Sequence, residues 1–314
     1  MKIHSQALTL TKVTTVILVA AGCPAAAQSK STLTPYAKIN AATAVSTVTN
    51  QRIRGNVALI DGAGGNVVAL TGKEGILLVD TGIAVAGERV AKALGGFKGK
   101  PLRYVINTHW HWDHTDGNGW AHQLGAKLVA HPNTIRHLAS KIRVEEWGHT
   151  FDPVPSADRP TEAVASERSI KIDDENVRIR AFMPGHTDGD LSVYFEKADV
   201  LVVGDSYWNG HYPFIDYVAG GSIDGTIRQA EAGLGMAGAN TVIVPGHGPL
   251  ARRTDLAGYR NMLVDIRSKV AALKKNGKSL NEVIAARPTA AYDGVWGTAV
   301  ISPALFVTLV YRGV

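Results

Sequence analysis

Running out of the apolar segment RYVIN, the stretch Ile106–Trp120 reads INTHWHWDHTDGNGW and sets three histidines and two aspartates within eight positions, from His109 to Asp116. Unpaired charged groups are expensive to bury, and a solvated turn has no use for so many imidazoles. Something must therefore compensate them, and the fold must carry that compensation to the end of this strand. The spacing narrows the choice further. His109, His111 and Asp113 lie two residues apart, so on an extended segment they project to one side. His114 breaks the alternation and needs a turn, which TDGNG supplies. Ligands presented in two directions suit two metal ions better than one.

Three later strand ends carry the same residue types. MPGHTDGD places His186 after VRIRAF, LVVGDS places Asp205 after an apolar run, and IVPGHGP places His247 after another. A polar side chain beside glycine at the end of an apolar strand is a common way to hold a site on rigid supports. Together these make five histidines and two aspartates, a donor set that zinc accepts, with catalytic sites keeping one position open.

The rest of the chain supports a large core. It has 314 residues, 45% of them hydrophobic and 19% charged. Strand-like runs follow one another: NVALI, NVVALT, GILLVD, RYVIN, then SIKI, VRIRAF, LSVYF, VLVVGD and TVIVPG. Helical patterns fit 84–95, 224–238, 254–275, 279–286 and 303–311. Short strands in two groups with interspersed helices indicate an α/β chain with two sheets packed together and covered by helices. The Pro-rich segment FDPVPSADRP, residues 151–160, reads as a surface loop near the site mouth. The net charge of +6 is scattered, and the largest cluster (Lys274, Lys275, Lys278) has no interleaved aromatics, so nucleic acid is not an expected partner.

The first 27 residues stand apart. Lys2 and Lys12 are their only charges, VTTVILVAAG follows, and AAAQ supplies small residues at Ala25 and Ala27. This is a signal-peptide pattern with cleavage expected after Ala27, giving a periplasmic or secreted protein without stable membrane insertion. AAGC faintly resembles a lipoprotein box at Cys23, with Ala20 a weak choice at its first position. The expected organisation is a signal peptide (1–27), a lead-in arm without sustained period (28–50) and a single domain (51–314). Cys23 is the only cysteine, so the mature chain has no disulfide and no thiolate nucleophile or metal ligand.

The His-x-His-x-Asp-His segment followed by a later His, Asp and His resembles the metallo-β-lactamase superfamily, over about residues 54 to 250. The resemblance implies a four-layer αββα sandwich with metals at one edge. It implies that His109, His111 and His186 bind a first metal, that Asp113, His114 and His247 bind a second, and that Asp205 bridges both. LLVDTG is similar to the family's early strand, whose aspartate, matching Asp80, supports the ligand loop. Asp205 stands where the cysteine-dependent lactamases have a thiolate. In this it is similar to hydroxyacylglutathione hydrolases and lactone-cleaving members, so the family name does not name the substrate.

The activity implied is that of an exported binuclear zinc hydrolase, with iron or manganese as other candidate metals. A water acidified between two cations attacks the acyl carbon of an ester, lactone, thioester or β-lactam-type amide, and Asp113 handles its proton. The chain has no G-x-S-x-G stretch for a serine nucleophile. The aromatic run after Asp205 (Tyr207, Trp208, His211, Tyr212, Phe214, with Asp216) is a candidate substrate wall, whereas Trp110 and Trp112 are expected to point away from the ligands. His122, His131, His137 and His149 show no ligand spacing. The competing classes are a mononuclear iron persulfide-dioxygenase-like enzyme, a nuclease of the same fold, and a binding module with a degenerate site. The intact second ligand set disfavours the first, export and scattered charge the second, and the complete donor set the third.

Overall fold

A computed structural model describes residues 33–95 and 99–314; the expected signal peptide lies outside them. The segment read as an arm carries a helix, α1 (Pro35–Val45), with Thr34 as its N-cap and Pro35 in its first turn. Its alanines, threonine and asparagine have no apolar stripe, which is why periodicity did not reveal it.

A first run of strands forms an antiparallel meander: β1 (Thr49–Arg54), β2 (Val57–Asp61), β3 (Val67–Thr71) and β4 (Ile76–Val79). Helix α2 (Gly87–Ala93) then crosses to β5 (Leu102–Ile106), which pairs parallel to β4. The short helices α3 (Trp112–Thr115) and α4 (Asn118–Gln123) lead to β6 (Lys127–Ala130). Helix α5 (Pro132–Leu138), the hairpin β7 (Ile142–Val144) with β8 (His149–Phe151), and β9 (Glu162–Ala163) complete this half. The first sheet thus has the order β1-β2-β3-β4-β5-β6-β9.

The second sheet takes β10 (Glu167–Ile172), β11 (Glu175–Ala181), β12 (Leu191–Phe195) and β13 (Val200–Trp208) as antiparallel neighbours. Helix α6 (Ile223–Met236) crosses to β14 (Val242–His247), parallel to β13. The chain ends in α7 (Arg253–Lys275), α8 (Leu280–Ala285), α9 (Asp293–Trp296) and α10 (Pro303–Arg312).

The two-residue period of the strands decides the layering. In β13, Val200 and Val202 face the first sheet through a core shared with Val68, Leu77, Val79 and Ile106. Leu201 and Val203 face the other way, into a core with Leu256, Met262, Phe306 and Leu309 of the helices. In β3 and β4, Val67, Ala69, Ile76 and Leu78 pack on Val90 and Ala121 of α2 and α4. Buried on both faces, these strands read as continuous apolar runs. Three cores between four layers make the αββα sandwich of the metallo-β-lactamase fold.

Parallel pairing aligns the carboxyl ends of β4 and β5 in one sheet and of β13 and β14 in the other. Open α/β sheets place their ligands at such ends.

Candidate metal centre

The chain leaves β5 at Ile106 and bends, so the strand alternation expected for His109–Asp113 stops there. His111 is the N-cap of α3, and Asp113 and His114 ride on that one-turn helix. Two sets of donor atoms result, each gathered within 4.8 Å: His109, His111, His186 and Asp205 in one, Asp113, His114 and His247 in the other. Asp113 therefore groups with His114, not on one side with His109 and His111 as the extended spacing had implied.

Asp205 lies within β13 and not after it, since the strand runs on to Trp208. The register against β14 slips around Gly204, whose φ of 52° is a left-handed value that a bulge requires. That bulge turns the carboxylate so that its oxygens divide between the two sets. Oδ1 is 3.1 Å from His114 Nε2 and 3.5 Å from His247 Nε2, while Oδ2 is 3.5 Å from His186 Nε2 and 3.7 Å from His109 Nε2. Oδ1 has no conventional hydrogen-bond partner despite being buried.

Outer contacts fix which ring nitrogens face inward. His111 Nε2 meets Asp216 Oδ2 at 2.9 Å, His186 Nδ1 meets the Phe214 carbonyl at 2.9 Å, and His114 Nδ1 meets Asp80 Oδ2 at 2.8 Å. Thr108 Oγ1 donates to Asp80 Oδ2 at 2.7 Å, so it accepts from His109 Nδ1 at 3.0 Å. Each of these four outer nitrogens thus carries its proton toward an acceptor, and each inner nitrogen presents a lone pair. His111 Nδ1 lies 3.0 Å from His186 Nε2 and 3.1 Å from His109 Nε2, with no proton to share. Lone pairs this close repel unless a cation lies among them, and imidazoles sharing a tetrahedral zinc at ~2.0–2.1 Å would stand at about this spacing. The donors present fit divalent metal.

The electrostatics agree. Burial pushes the Asp205 carboxyl up, but His247, His114 and His109 outweigh it and hold it well below the usual carboxylate range. Burial pulls His114 down, yet Asp205, Asp113 and Asp80 outweigh that and raise it well above the usual imidazole range. Burial and the charge of His114 together depress His109. Asp205 and Asp113 face the inner nitrogen of His114 and Asp80 the outer one, so the carboxylates favour a positive charge at this ring from both sides.

Asp80 was expected from LLVDTG to support the ligand loop, whereas the contacts made by Asp216 and Gln229 had no motif to reveal them. Asp80 sits at φ 63° after β4, and its oxygens take the Thr108 amide, the Thr108 hydroxyl and His114. Asp216, grouped from the sequence with the aromatic run, instead accepts from Trp110 Nε1, His111, and the Val218 and Ala219 amides. Gln229 of α6 accepts from the His186 amide and donates to Asp190. Of the non-ligand histidines, His131 caps α5, His137 bonds Asp188 and His149 stacks on Tyr36.

The expected substrate wall needs correction. Tyr207 and Tyr212 are fully buried in the helical core, packed on Tyr259 and Phe306 respectively, because β13 carries Tyr207 toward α7 and Tyr212 is drawn in by Asp293. Phe214 is likewise buried behind the ligands, 5.7 Å from the His111 ring. Only Trp208 of that run lines the cavity at the ligands, about 190 Å³, with His111, Asp113, Asp205 and His247. Trp112, expected to point away, lines it too, since helix geometry replaces strand alternation at that residue. A larger cavity of about 380 Å³ beyond Trp112 and Tyr36 takes in the Pro-rich loop, but none of the seven ligands lines it.

Glycine makes the close packing possible. A methyl group on Gly246 would overlap the Asp205 carboxylate, and one on Gly65 would overlap the His114 ring. Gly246→Ala is expected to lose at least one metal equivalent by elemental analysis with the sandwich intact by circular dichroism. Gly258→Ala, on a helical surface with open space around it, is the control and should gain roughly 0.5–1 kcal/mol. Full metal in Gly246→Ala would show that Asp205 is not held by this packing.

A curated hydroxyacylglutathione hydrolase of Erythrobacter litoralis is 30% identical over 110 residues, 35% of this chain and 36% of its own. One from Gloeobacter violaceus is 31% identical over 137 residues, 44% of each chain. The chain thus spans less than half the length of these relatives. Among solved structures, the sec-alkylsulfatase Pisa1 from Pseudomonas sp. superposes with a TM-score of 0.68 at 15% identity, over 84% of this chain and 50% of that one. A metallo-beta-lactamase from Pontibacter korlensis gives 0.57 at 18% identity, over 69% of this chain and 99% of that one. At such identities the likeness is one of fold. The sequence model of the metallo-beta-lactamase superfamily matches residues 60–269. That match runs from β2 into α7 and takes in both donor sets, so the chain belongs to this superfamily.

Proposed function

We propose that the protein is a binuclear zinc hydrolase that cleaves an acyl bond in a small organic substrate, an ester, lactone, thioester or β-lactam-type amide. The observation that carries this reading is the division of the Asp205 oxygens between two complete donor sets. His109, His111 and His186 would hold one metal, Asp113, His114 and His247 the other, and Asp205 both. Two divalent cations held there would supply Lewis acidity toward a water and toward the carbonyl oxygen of the substrate. The chain's own part is to orient and to move a proton. Asp113, on the cavity wall and 3.2 Å from His247 Nε2, accepts the proton of the attacking water and passes it to the leaving group. Asp80, Asp216 and the Phe214 carbonyl keep the imidazoles in the tautomer that leaves the inner nitrogens free.

Elemental analysis of gently purified protein should approach two zinc equivalents per chain. Because the inward lone pairs of His109, His111 and His186 repel one another without a cation, chelation should abolish activity and lower Tm by on the order of ten degrees. A single tightly bound iron would replace this reading with the persulfide-oxidising one. Hydrolysis of aryl esters, homoserine lactones, acyl-glutathione thioesters, β-lactams and sec-alkyl sulfates by the metal-replete protein identifies the bond. The last belongs in the panel because of the likeness in fold to an alkylsulfatase.

Export is the second part of the proposal. No helix among the described residues is long and apolar enough to cross a membrane. A mature chain beginning at Gln28 in the periplasm is the expected product, and N-terminal sequencing of the secreted form checks it. An intact Met1 in a soluble fraction would refute it.

A further inference from the structure

The wall facing the ligands is made partly by the sandwich and partly by helix α1. Ile39, Ala42 and Thr43 line the cavity from that helix, opposite Trp112, Trp147, Trp208 and Val300. Their spacing of three and four puts them on one helical face. We infer that α1 selects the acyl chain of the substrate, and that the chain it selects is apolar and uncharged. This rests on the hydrolytic reading above.

Helix α1 is placed by its ends. The Tyr36 amide donates to the Trp147 carbonyl at 3.3 Å, and the Tyr36 ring stacks on His149 at 3.6 Å, 5.1 Å from Trp112. At the other end Arg89 donates to the Ala44 carbonyl at 2.7 Å and to the Thr43 carbonyl, and Ser46 Oγ donates to Thr43. Between these clamps only Thr43 is buried. A helix held at both ends yet burying so little of itself presents its inner face to the cavity as a fixed surface.

That surface carries little charge: beside the ligands its polar groups are Thr43 and the indole N–H groups of Trp112, Trp147 and Trp208, which are buried without a hydrogen-bond partner. Among the described residues the cavity has no lysine or arginine in its wall, and its only acidic groups there are the ligands Asp113 and Asp205. Arg89, bonded to α1, is turned to the helix carbonyls. A carboxylate on the acyl chain would lose its water, meet no cation but the metals, and stand near two carboxylates. An alkyl chain would meet Ile39, Ala42, Val300 and three indoles. At about 190 Å³ the cavity falls below the ~300–1,000 Å³ common for drug-sized ligands, which limits the chain to a few carbons. It opens where Ala42 and Val300 are exposed.

The test uses the zinc-loaded protein with p-nitrophenyl acetate, p-nitrophenyl hexanoate and the p-nitrophenyl monoester of hexanedioic acid. The wild type should prefer hexanoate to its carboxylate-ended analogue by about a hundredfold in kcat/KM. Ala42→Phe, which fills the mouth, should cut the hexanoate-to-acetate ratio about tenfold. Ala42→Lys should raise the carboxylate-ended ester relative to hexanoate about tenfold. Both variants should keep two zinc per chain, since Ala42 is exposed and touches no ligand loop through a hydrogen bond. A second readout is independent of turnover: hexanamide should bind more tightly than acetamide, followed by the emission of the pocket tryptophans, and Ala42→Phe should erase the difference. An unchanged chain-length ratio in Ala42→Phe would overturn the role of α1, and equal cleavage of the charged and neutral esters would overturn the chemistry of the chain. If the wild type cleaves no acyl bond at all, the hydrolytic reading fails. The amide titration then decides the role of α1 alone: a hexanamide preference lost in Ala42→Phe sustains it, and no preference overturns it.

Discussion

Asp205→Ala is expected to lose one of two metal equivalents and to lower kcat/KM by about two to three orders of magnitude. The size follows from the several kcal/mol that a metal contributes to the transition state, at ~1.4 kcal/mol per tenfold. The cause is charge. Among the described residues Asp205 is the one side chain whose oxygens approach both donor sets, and two cations about 3.5–4 Å apart repel strongly without a carboxylate between them. Asp113→Asn should behave differently. The amide oxygen can still face the second metal, so more metal remains, but the group no longer takes a proton, and a rate loss of about 10²–10⁴ is expected. Metal content against kcat in the two variants therefore separates holding the cations from moving the proton. Both metals and near-normal turnover in Asp205→Ala would mean that the bulge at Gly204 aims the carboxylate at nothing functional.

His109, His111, Asp113 and His114 were legible from their concentration after one strand, and His186, Asp205 and His247 because each is a polar residue beside glycine after an apolar run, which a doubly covered sheet demands. The order of the layers was legible for the same reason. What failed was whatever depends on local geometry after a strand ends. The spacing of His109, His111 and Asp113 implied one face, but β5 stops at Ile106 and α3 begins at Trp112. The same short helix brought Trp112 into the cavity. Tyr207 and Tyr212 were read as wall because they follow Asp205, yet β13 continues through Trp208 and carries Tyr207 to the helical side. Helix α1 left no periodic trace because it packs by its ends. Strand β1 is polar and charged, β6 is short and opens on a lysine, and β7 and β8 take their place from a hairpin of three-residue arms. Asp216 and Gln229 act through folded contacts far from the ligands in sequence, which no spacing rule reaches.

Asp80 offers the sharpest test of how the metals are held, because its two conservative replacements should fail in opposite ways. Its Oδ2 accepts both the His114 Nδ1 proton and the Thr108 hydroxyl, which in turn accepts from His109. One carboxylate thus sets the tautomer of a ligand in each set. It does so from a backbone conformation, φ 63°, that asparagine tolerates and alanine does not. In Asp80→Asn the amide nitrogen, if turned to His114, would oppose a donor to a donor. The ring would then take the other tautomer, with its proton on the inner nitrogen where a metal must bind. Asp80→Asn should therefore fold with nearly the wild-type Tm of the metal-free protein while losing on the order of a hundredfold in metal affinity. Asp80→Ala leaves His114 free to choose its tautomer, so it should lose less affinity, but it forces a left-handed alanine at a cost of roughly 1–2 kcal/mol in stability. Competition with a chelator gives the affinities, and thermal unfolding of the stripped proteins gives the stabilities. A crossed result, with asparagine worse for metal and alanine worse for folding, assigns Asp80 to orienting the imidazoles. Wild-type metal affinity in Asp80→Asn would mean that His114 and His109 are held in place by the metals themselves.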